Sequence, residues 1–318
     1  MNSSHIDRPG RAIALICVGV FFITVNDMIV KSLSGGYPLH EIVLLRTAVA
    51  MVITLGIVLS EGGLSQLRTR RPVMHALRGL TVVISSLLFF SALAVMPLGQ
   101  ATAMFFVAPL FITLLSIPLL GEKVGPYRLG AVLVGFVGVA IVYQPWKVSG
   151  GQSIVLALPI LSALFYAFLQ VMTRKLGVAS SAGAMSFYNQ IVFMVVSIGV
   201  FAVAGDGRYA EGVTNESLQF ILRAWIWPSN HDLLVFLASG TVYALAGYLL
   251  TAAYRLADAA TVAPFEYIGL PAAFFWGWVI FGERPSLAVW AGCVLIVGAG
   301  LVVFMRERRK PKPIKAPI

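Results

Sequence analysis

Long apolar runs separated by short polar turns make up this chain. Ten of them approach or exceed the roughly 20 residues a helix needs to cross about 30 Å of hydrocarbon: 11–33, 40–60, 74–95, 99–120, 126–144, 152–174, 184–204, 232–256, 261–281 and 287–305. None shows the sustained alternation of a transmembrane β-strand, so the pattern predicts helices. Turn residues fall between the runs: Gly35-Gly36 with Pro38, Pro72, Pro97, Gly125-Pro126, Gly150-Gly151 and Pro285. One connection is long, 205–231, and within it Leu218, Ile221, Leu222 and Trp225 recur at helical spacing beside charged residues. That spacing predicts an interfacial helix lying on the outer membrane surface.

The polar interruptions repeat. Thr261–Glu283, TVAPFEYIGLPAAFFWGWVIFGE, is a near-copy of Gln100–Glu122, QATAMFFVAPLFITLLSIPLLGE, and both end in Gly-Glu followed by a basic residue. At an offset of 161, Ala92 falls on Ala253 and Glu122 on Glu283; at 162, Pro109 falls on Pro271, Gly130 on Gly292 and Gly138 on Gly300. The first spans pair at 144, setting Asn26 on Gln170, Lys31 on Lys175 and Arg46 on Gln190. Two five-span units follow, 11–144 and 152–305. An odd number of spans makes the second unit enter the membrane from the opposite side. The expected fold is an all-α polytopic membrane protein of ten transmembrane helices in two inverted five-helix repeats.

Composition agrees: 59% of residues are hydrophobic and 11% charged, against about a quarter charged in soluble domains. The formal charge of +10 does not suggest nucleic acid, because the basic residues are scattered through loops and a tail. With the N-terminus inside, seventeen of the 23 Lys and Arg fall on the terminal side, Arg78 among them as a loop residue, and four on the other; Lys31 and Arg46 stay within spans. Cytoplasmic loops carry such an excess, so both the segment 1–10 and the basic tail 306–318 are expected in the cytoplasm, the tail touching anionic lipid. Cys17 and Cys293 lie in apolar runs and suggest neither disulfide nor metal. Arg8 and Arg11 precede a run too long for a secretory leader. There is no P-loop, Gly-x-Ser-x-Gly or His-Glu-x-x-His, and His5, His40, His75 and His231 lie outside the spans or at their ends. No enzyme activity, cofactor or metal is expected.

Ionisable side chains within spans are functional candidates because burying them in lipid is costly. Glu266 sits early in the ninth span beside Tyr267; it is a candidate for proton coupling or for binding a substrate amine, the alternative being a bond to neighbouring helices. Arg46, two turns into the second span, suits a carboxylate or phosphate, unless Glu41 neutralises it. Asn26 is a pocket candidate, while Asp27 and Lys31 have the i, i+4 spacing of a structural ion pair. The second unit offers Tyr166 and Gln170 on one helical face, then Tyr188, Asn189 and Gln190, with Tyr243 and Tyr248 on the eighth span. Among the aromatics, Phe105 and Tyr267 join the candidate substrate-binding set. Gly130, Val134 and Gly138, like Gly292, Ile296 and Gly300, have the spacing of close helix packing.

The two five-span units, the Gly-Glu-basic closures, the glycine-laced fifth spans and APFEYIGLPAAFFWGWVIFGERP at Ala263–Pro285 together resemble the drug/metabolite transporter superfamily, in its EamA-type branch. The resemblance covers 11–305. It implies a secondary transporter of a small polar metabolite in a bacterial cytoplasmic (inner) membrane, an exporter or exchanger, with an amino acid or similar compound as the leading substrate. Protons or a counter-substrate and membrane lipid are the other expected partners, and a monomer the working assembly. Import of a vitamin or carboxylate is the alternative, and a non-transporting sensor or assembly protein the alternative of another class.

Overall fold

The computed structural model describes residues 9–69, 72–121, 125–144, 146, 152–176, 181–256 and 263–308. The N-terminal residues before 9, Glu122 and Lys123 of the first Gly-Glu-basic closure, Gly150-Gly151 and the tail beyond 308 lie outside them. In hydrocarbon every backbone N–H and C=O must find its partner within the protein, which a helix does locally. Among the described residues all regular structure is helical: α1 (Pro9–Leu33), α2 (Leu39–Glu61), α3 (Pro72–Leu93), α4 (Leu98–Phe105), α5 (Ala108–Leu120), α6 (Pro126–Tyr143), α7 (Gln152–Leu176), α8 (Ala182–Ala204), α9 (Glu216–Leu222), α10 (Asn230–Leu256), α11 (Gly269–Phe281) and α12 (Leu287–Arg308), with 3₁₀ turns at Leu64–Leu67 and Ala263–Ile268. Among the described residues six apolar stretches are long enough to cross a membrane: Gly10–Leu33, Leu39–Glu61, Pro72–Leu93, Leu98–Leu119, Gly183–Ala204 and Asn230–Ala253. Shorter apolar helices run over Leu129–Tyr143, Ala157–Met172, Phe265–Phe281 and Leu287–Val302. The protein is a polytopic, all-helical membrane protein.

The predicted spans 99–120 and 261–281 are each broken rather than continuous, at the same place. A proline ring occludes the carbonyl four residues before it and removes one N–H. Pro109 therefore denies Phe105 its helical partner. The backbone loosens there, with Val107 N reaching back only to Met104 O at 3.4 Å before α5 starts. Its repeat mate Pro271 does the same to Tyr267, and the six residues Ala263–Ile268 before α11 wind as a 3₁₀ turn. The two second segments also end alike, on Gly121 (φ 70°) and Gly282 (φ 65°), left-handed positions a glycine fills without Cβ strain.

The helices pack mainly across the two halves of the sequence: α1 along α10, α2 along α8, α3 along α7, α4 along α11 and α6 along α12. The α6–α12 contact uses the predicted glycine stripe. A Cβ on Gly292 would lie 2.6 Å from the carbonyl oxygen of Gly138, and one on Gly138 would lie 2.9 Å from that of Gly292. Backbone cannot yield as a side chain can. Gly292→Val is expected to destabilise the protein by about 3 kcal/mol, the upper end for overpacking, whereas Gly298→Ala, with nothing within 4 Å of its Cβ, should be nearly neutral. Thermal unfolding in detergent distinguishes them.

In the long connection, helix α9 is capped by Asn215, whose Oδ1 accepts from Leu218 N at 3.1 Å. It ends at Leu222, short of the predicted Trp225. Ser217 and Phe220 are buried, and Ser217 Oγ donates to Ser91 O at 2.7 Å. The segment is thus docked onto α2 and α3 by its inner face, while Leu218, Ile226 and Trp227 remain exposed. Arg223 clamps the α1–α2 turn through the carbonyls of Ser34 (3.2 Å) and Gly35 (2.8 Å). This end of the bundle is referred to below as the Tyr37 end, and the other as the Leu67 end.

Candidate functional site

Arg46 lies in the second turn of α2 and is completely buried. Its Nη1 donates to Asn26 Oδ1 of α1 at 3.2 Å, and Ser239 Oγ of α10 donates to the same oxygen at 3.4 Å. Three rings surround the guanidinium, Tyr243 at 4.2 Å, Phe90 at 5.3 Å and Phe193 at 5.9 Å, distances at which a ring quadrupole attracts a cation. The alternative partnership with Glu41 does not form. Glu41 turns to the docked loop, accepting from Ile226 N at 3.1 Å, because helical spacing of five sends it to another face. Arg46 Nε and Nη2 consequently have no hydrogen-bond partner among the described residues, nor do Thr47 Oγ1 and Gln190 Oε1. Gln190, the repeat mate of Arg46, donates to Thr54 Oγ1 at 2.8 Å. Buried polar atoms are nearly always satisfied, so a ligand or water group is the chemical complement of this α2–α8 seam.

The second cluster forms where the two helix breaks face each other. The Phe106 and Tyr267 rings, one from each break, stand 5.3 Å apart. Phe105 packs on Tyr166 at 5.3 Å and on Phe89 at 5.4 Å. Tyr166 is hydrogen-bonded with Gln170 and lies within electrostatic reach of both Glu266 and Arg78. Glu266 is half-buried and also acts on Tyr267. Arg78 Nη1 donates to Asn189 Oδ1 at 3.4 Å. Of the predicted residues, the fold thus joins Asn26 with Arg46, and Phe105, Tyr166, Gln170, Glu266 and Tyr267 in one neighbourhood reached by Asn189 through Arg78. It does not bring in Tyr188, which sits at the Leu67 end, donating to Leu67 O and stacking on His75 at 4.7 Å. Arg78, read from sequence as a loop residue, is a correction in the other direction. Helix α3 starts at Pro72, a residue suited to a first turn, and carries Arg78 inside.

The Asp27–Lys31 pair is also corrected. Lys31 Nζ binds Glu283 Oε1 at 3.0 Å and the carbonyls of Met96 (2.5 Å) and Leu93 (3.2 Å). Asp27 instead accepts from Asn26 Nδ2 at 3.2 Å. Three carbonyl and carboxylate oxygens satisfy an ammonium better than one carboxylate on the same helix. The other oxygen of Glu283 accepts from Leu98 N at 2.8 Å, capping α4. A cleft of about 480 Å³ opens beside this junction, among Gly99, Gln100, Phe274, Glu283 and Val289. Nearby, Tyr37 donates to Asp232 Oδ2 at 2.6 Å, and that carboxylate holds the phenol pKa above its ordinary value, since removing the proton would set two anions together.

Broken helices that meet around buried polar groups, in an all-helical polytopic bundle, define a membrane transporter rather than an enzyme. Residues 10–144 match the model of the EamA-like transporter family. Over 98% of its length the chain is 30% identical to the riboflavin transporter of Rhizobium johnstonii, covering 99% of that protein. It is 27% identical to the S-adenosylmethionine uptake transporter of Rickettsia prowazekii over 90% of each chain. A solved crystal structure shares the fold, with a TM-score of 0.61 over 93% of this chain and 98% of the other at 20% identity. The protein belongs to the EamA-like family of the drug/metabolite transporter superfamily.

Proposed function

We propose that this protein is a secondary transporter that imports a vitamin-type fused heteroaromatic, with riboflavin as the leading substrate, by alternating access between two inverted five-helix units, 11–144 and 152–305, ten spans in all. The carrying observation is the Arg46 site. A guanidinium whose Nε and Nη2 edge lacks a partner suits two adjacent acceptors at once, as on the rim of a fused ring, where arginine reads an oxygen and a ring nitrogen together in guanine. The names of the relatives, a riboflavin and an S-adenosylmethionine transporter, both concern molecules with such rings. The helix pairing supports the inverted repeat: exchanging the halves turns α1–α10 into α7–α3 and α5–α7 into α11–α1, and returns α2–α8 and α6–α12 to themselves. The excess of Lys and Arg on the terminal side supports cytoplasmic termini, in a bacterial inner membrane on this reading.

The unpartnered Arg46 edge is completely buried, so substrate reaches it only after the Tyr37 end opens. Asn26 and the rings of Phe105 and Tyr166 complete the proposed pocket; Gln170, Asn189, Glu266 and Tyr267 face its other half. A second reading, export of an amino-acid-like zwitterion, draws on the opposite charges of Arg46 and Glu266.

Proteoliposomes separate the two readings. Flavin uptake that unlabelled riboflavin blocks and a broad amino-acid panel does not is the expected result; the reverse competition favours the second reading. With Glu266 as the proton-coupling group, uptake rises when the outside is made acidic. Glu266→Gln is then expected to abolish that stimulation and leave exchange of labelled for unlabelled riboflavin intact. Equal pH responses in variant and wild type would remove Glu266 from coupling.

A further inference from the structure

We infer that Arg78 is a second ligand-binding guanidinium, the pseudo-symmetric counterpart of the Arg46 site, and that it takes the acceptor group of the substrate when the carrier opens toward the Leu67 end. The inference rests on the alternating-access reading above.

The argument begins with the repeat offsets. At 144, Asn26 falls on Gln170 and Arg46 on Gln190; at 161, Arg78 falls on Ser239. The three residues Asn26, Arg46 and Ser239 form one contact set, since Arg46 Nη1 and Ser239 Oγ both donate to Asn26 Oδ1. Their mates are Gln170, Gln190 and Arg78. An inverted repeat requires these to gather in the other half of the bundle, and the contacts there agree. Arg78 donates to Asn189 and acts on Tyr166, which is hydrogen-bonded with Gln170; Gln190 itself turns to Thr54 of α2, so on α8 the neighbouring carboxamide takes its place beside Arg78.

Each half-site thus holds one guanidinium beside carboxamides and an aromatic hydroxyl, Tyr243 at Arg46 and Tyr166 at Arg78. The positions of the two arginines within the repeat differ. Arg46 stands on α2, where the second half has Gln190; Arg78 stands on α3, where the second half has Ser239. The first half therefore supplies the cation in both places. A duplicated scaffold by itself would yield cations in matching positions; their recovery from non-matching positions points to a shared requirement for a donor edge at each mouth.

Helices α2 and α3 run antiparallel, and on α8 Phe193 beside Arg46 lies one turn from Asn189, which Arg78 reaches, so the two guanidinium groups stand about 6 Å apart along the bundle axis. The ligand class that fits is a planar or elongated molecule with acceptor oxygens or nitrogens, passed from one arginine edge to the other. Arginine is suited to both because it stays charged and presents two parallel donors. Glu266 and Arg78 both lie within electrostatic reach of Tyr166.

The test uses the full-length protein in sealed proteoliposomes with a charged, membrane-impermeant phenylglyoxal, followed by mass mapping of the peptides that carry Arg46 and Arg78. Arg78 is expected to react only when reagent is added at the Leu67 face and Arg46 only from the Tyr37 face. Riboflavin should protect both. In uptake from the Tyr37 face, Arg46→Gln should raise KM at least tenfold. Arg78→Gln should leave KM within twofold and lower the maximal rate at least tenfold, with Arg78→Lys intermediate. A purely structural Arg78 would react from neither face, and that result overturns the inference, as does a wild-type maximal rate in Arg78→Gln. If the wild-type protein carries no riboflavin, the proposed substrate falls, while the sidedness of arginine modification still decides the role of Arg78.

Discussion

Arg46→Gln is expected to weaken substrate binding from the Tyr37 side by tenfold to about 150-fold, measured as KM for uptake or as the Kd of purified protein. The size follows from hydrogen bonds to a charged group, worth about 1.5–3 kcal/mol each, with each 1.4 kcal/mol equal to a factor of ten. Glutamine retains a donor toward Asn26 Oδ1 and loses the Nε and Nη2 edge that has no hydrogen-bond partner among the described residues. It also removes a buried cation that sits among rings and one amide with Asp27 within electrostatic reach, and because burying that cation is itself costly the folded protein should lose little stability. Loss of transport with unchanged or raised thermal stability would mark Arg46 as a ligand group maintained against the interests of packing. A marked fall in stability with transport intact would show the opposite, that the three-ring cage is a structural device.

Removing Glu283 has the larger effect on the fold. Its two oxygens hold two helices of the first half, one on Lys31 of α1 and the other on Leu98 N at the start of α4. Glu283→Ala leaves Lys31, only 13% exposed at its side chain, without its counter-ion, and breaking a buried pair on one side costs about 3–5 kcal/mol. The lost cap adds about 1 kcal/mol. Lys31 keeps the carbonyls of Leu93 and Met96, which holds the expected loss to the lower half of that range. Unfolding in detergent should fall accordingly. The double replacement Lys31→Met with Glu283→Met should recover much of the loss, because apolar side chains of similar volume fill such a site without a desolvation penalty. Additive effects in the cycle of single and double variants would show that the pair is not coupled.

How much was legible depended on range. The helical character of the chain was plain, because an apolar run in lipid has few structures open to it. The twin Pro109 and Pro271 were visible too, as repeat mates, yet their consequence was missed. A run of twenty apolar residues reads as one span, and whether a proline kinks or breaks it depends on what the freed carbonyl meets. Glu266 was singled out by its charge alone. Its place in a 3₁₀ turn, opposite the other break, came only from the packing of α11 beside α4. Local spacing misled at Lys31, which has an acid at i−4 and chose Glu283, far along the chain; at Arg46, with an acid at i−5, it left two partners open and the fold chose Asn26. In both cases a group on another helix presented a better geometry than a neighbour on the same one. Arg78 was hidden because a basic residue near a run of Arg reads as loop charge even at the edge of the span 74–95, and only its contacts with Asn189 and Tyr166 on other helices show that it turns into the bundle.

The amino-acid sequence alone determined that this protein lives in a membrane as helices, that its two halves share a pattern, and which charged residues enter the apolar spans. Those properties follow from composition and near-neighbour spacing, which need no knowledge of what lies across the bundle. Tertiary packing decided which of those charges are satisfied and which are left open. A buried polar group takes its meaning from partners that arrive from other helices: Asn26 and Tyr243 cage Arg46, Lys31 finds Glu283, and two broken helices turn Phe106 and Tyr267 toward each other. The free energy of burying a charge is settled by those long-range contacts, and with it the place where a substrate can be held.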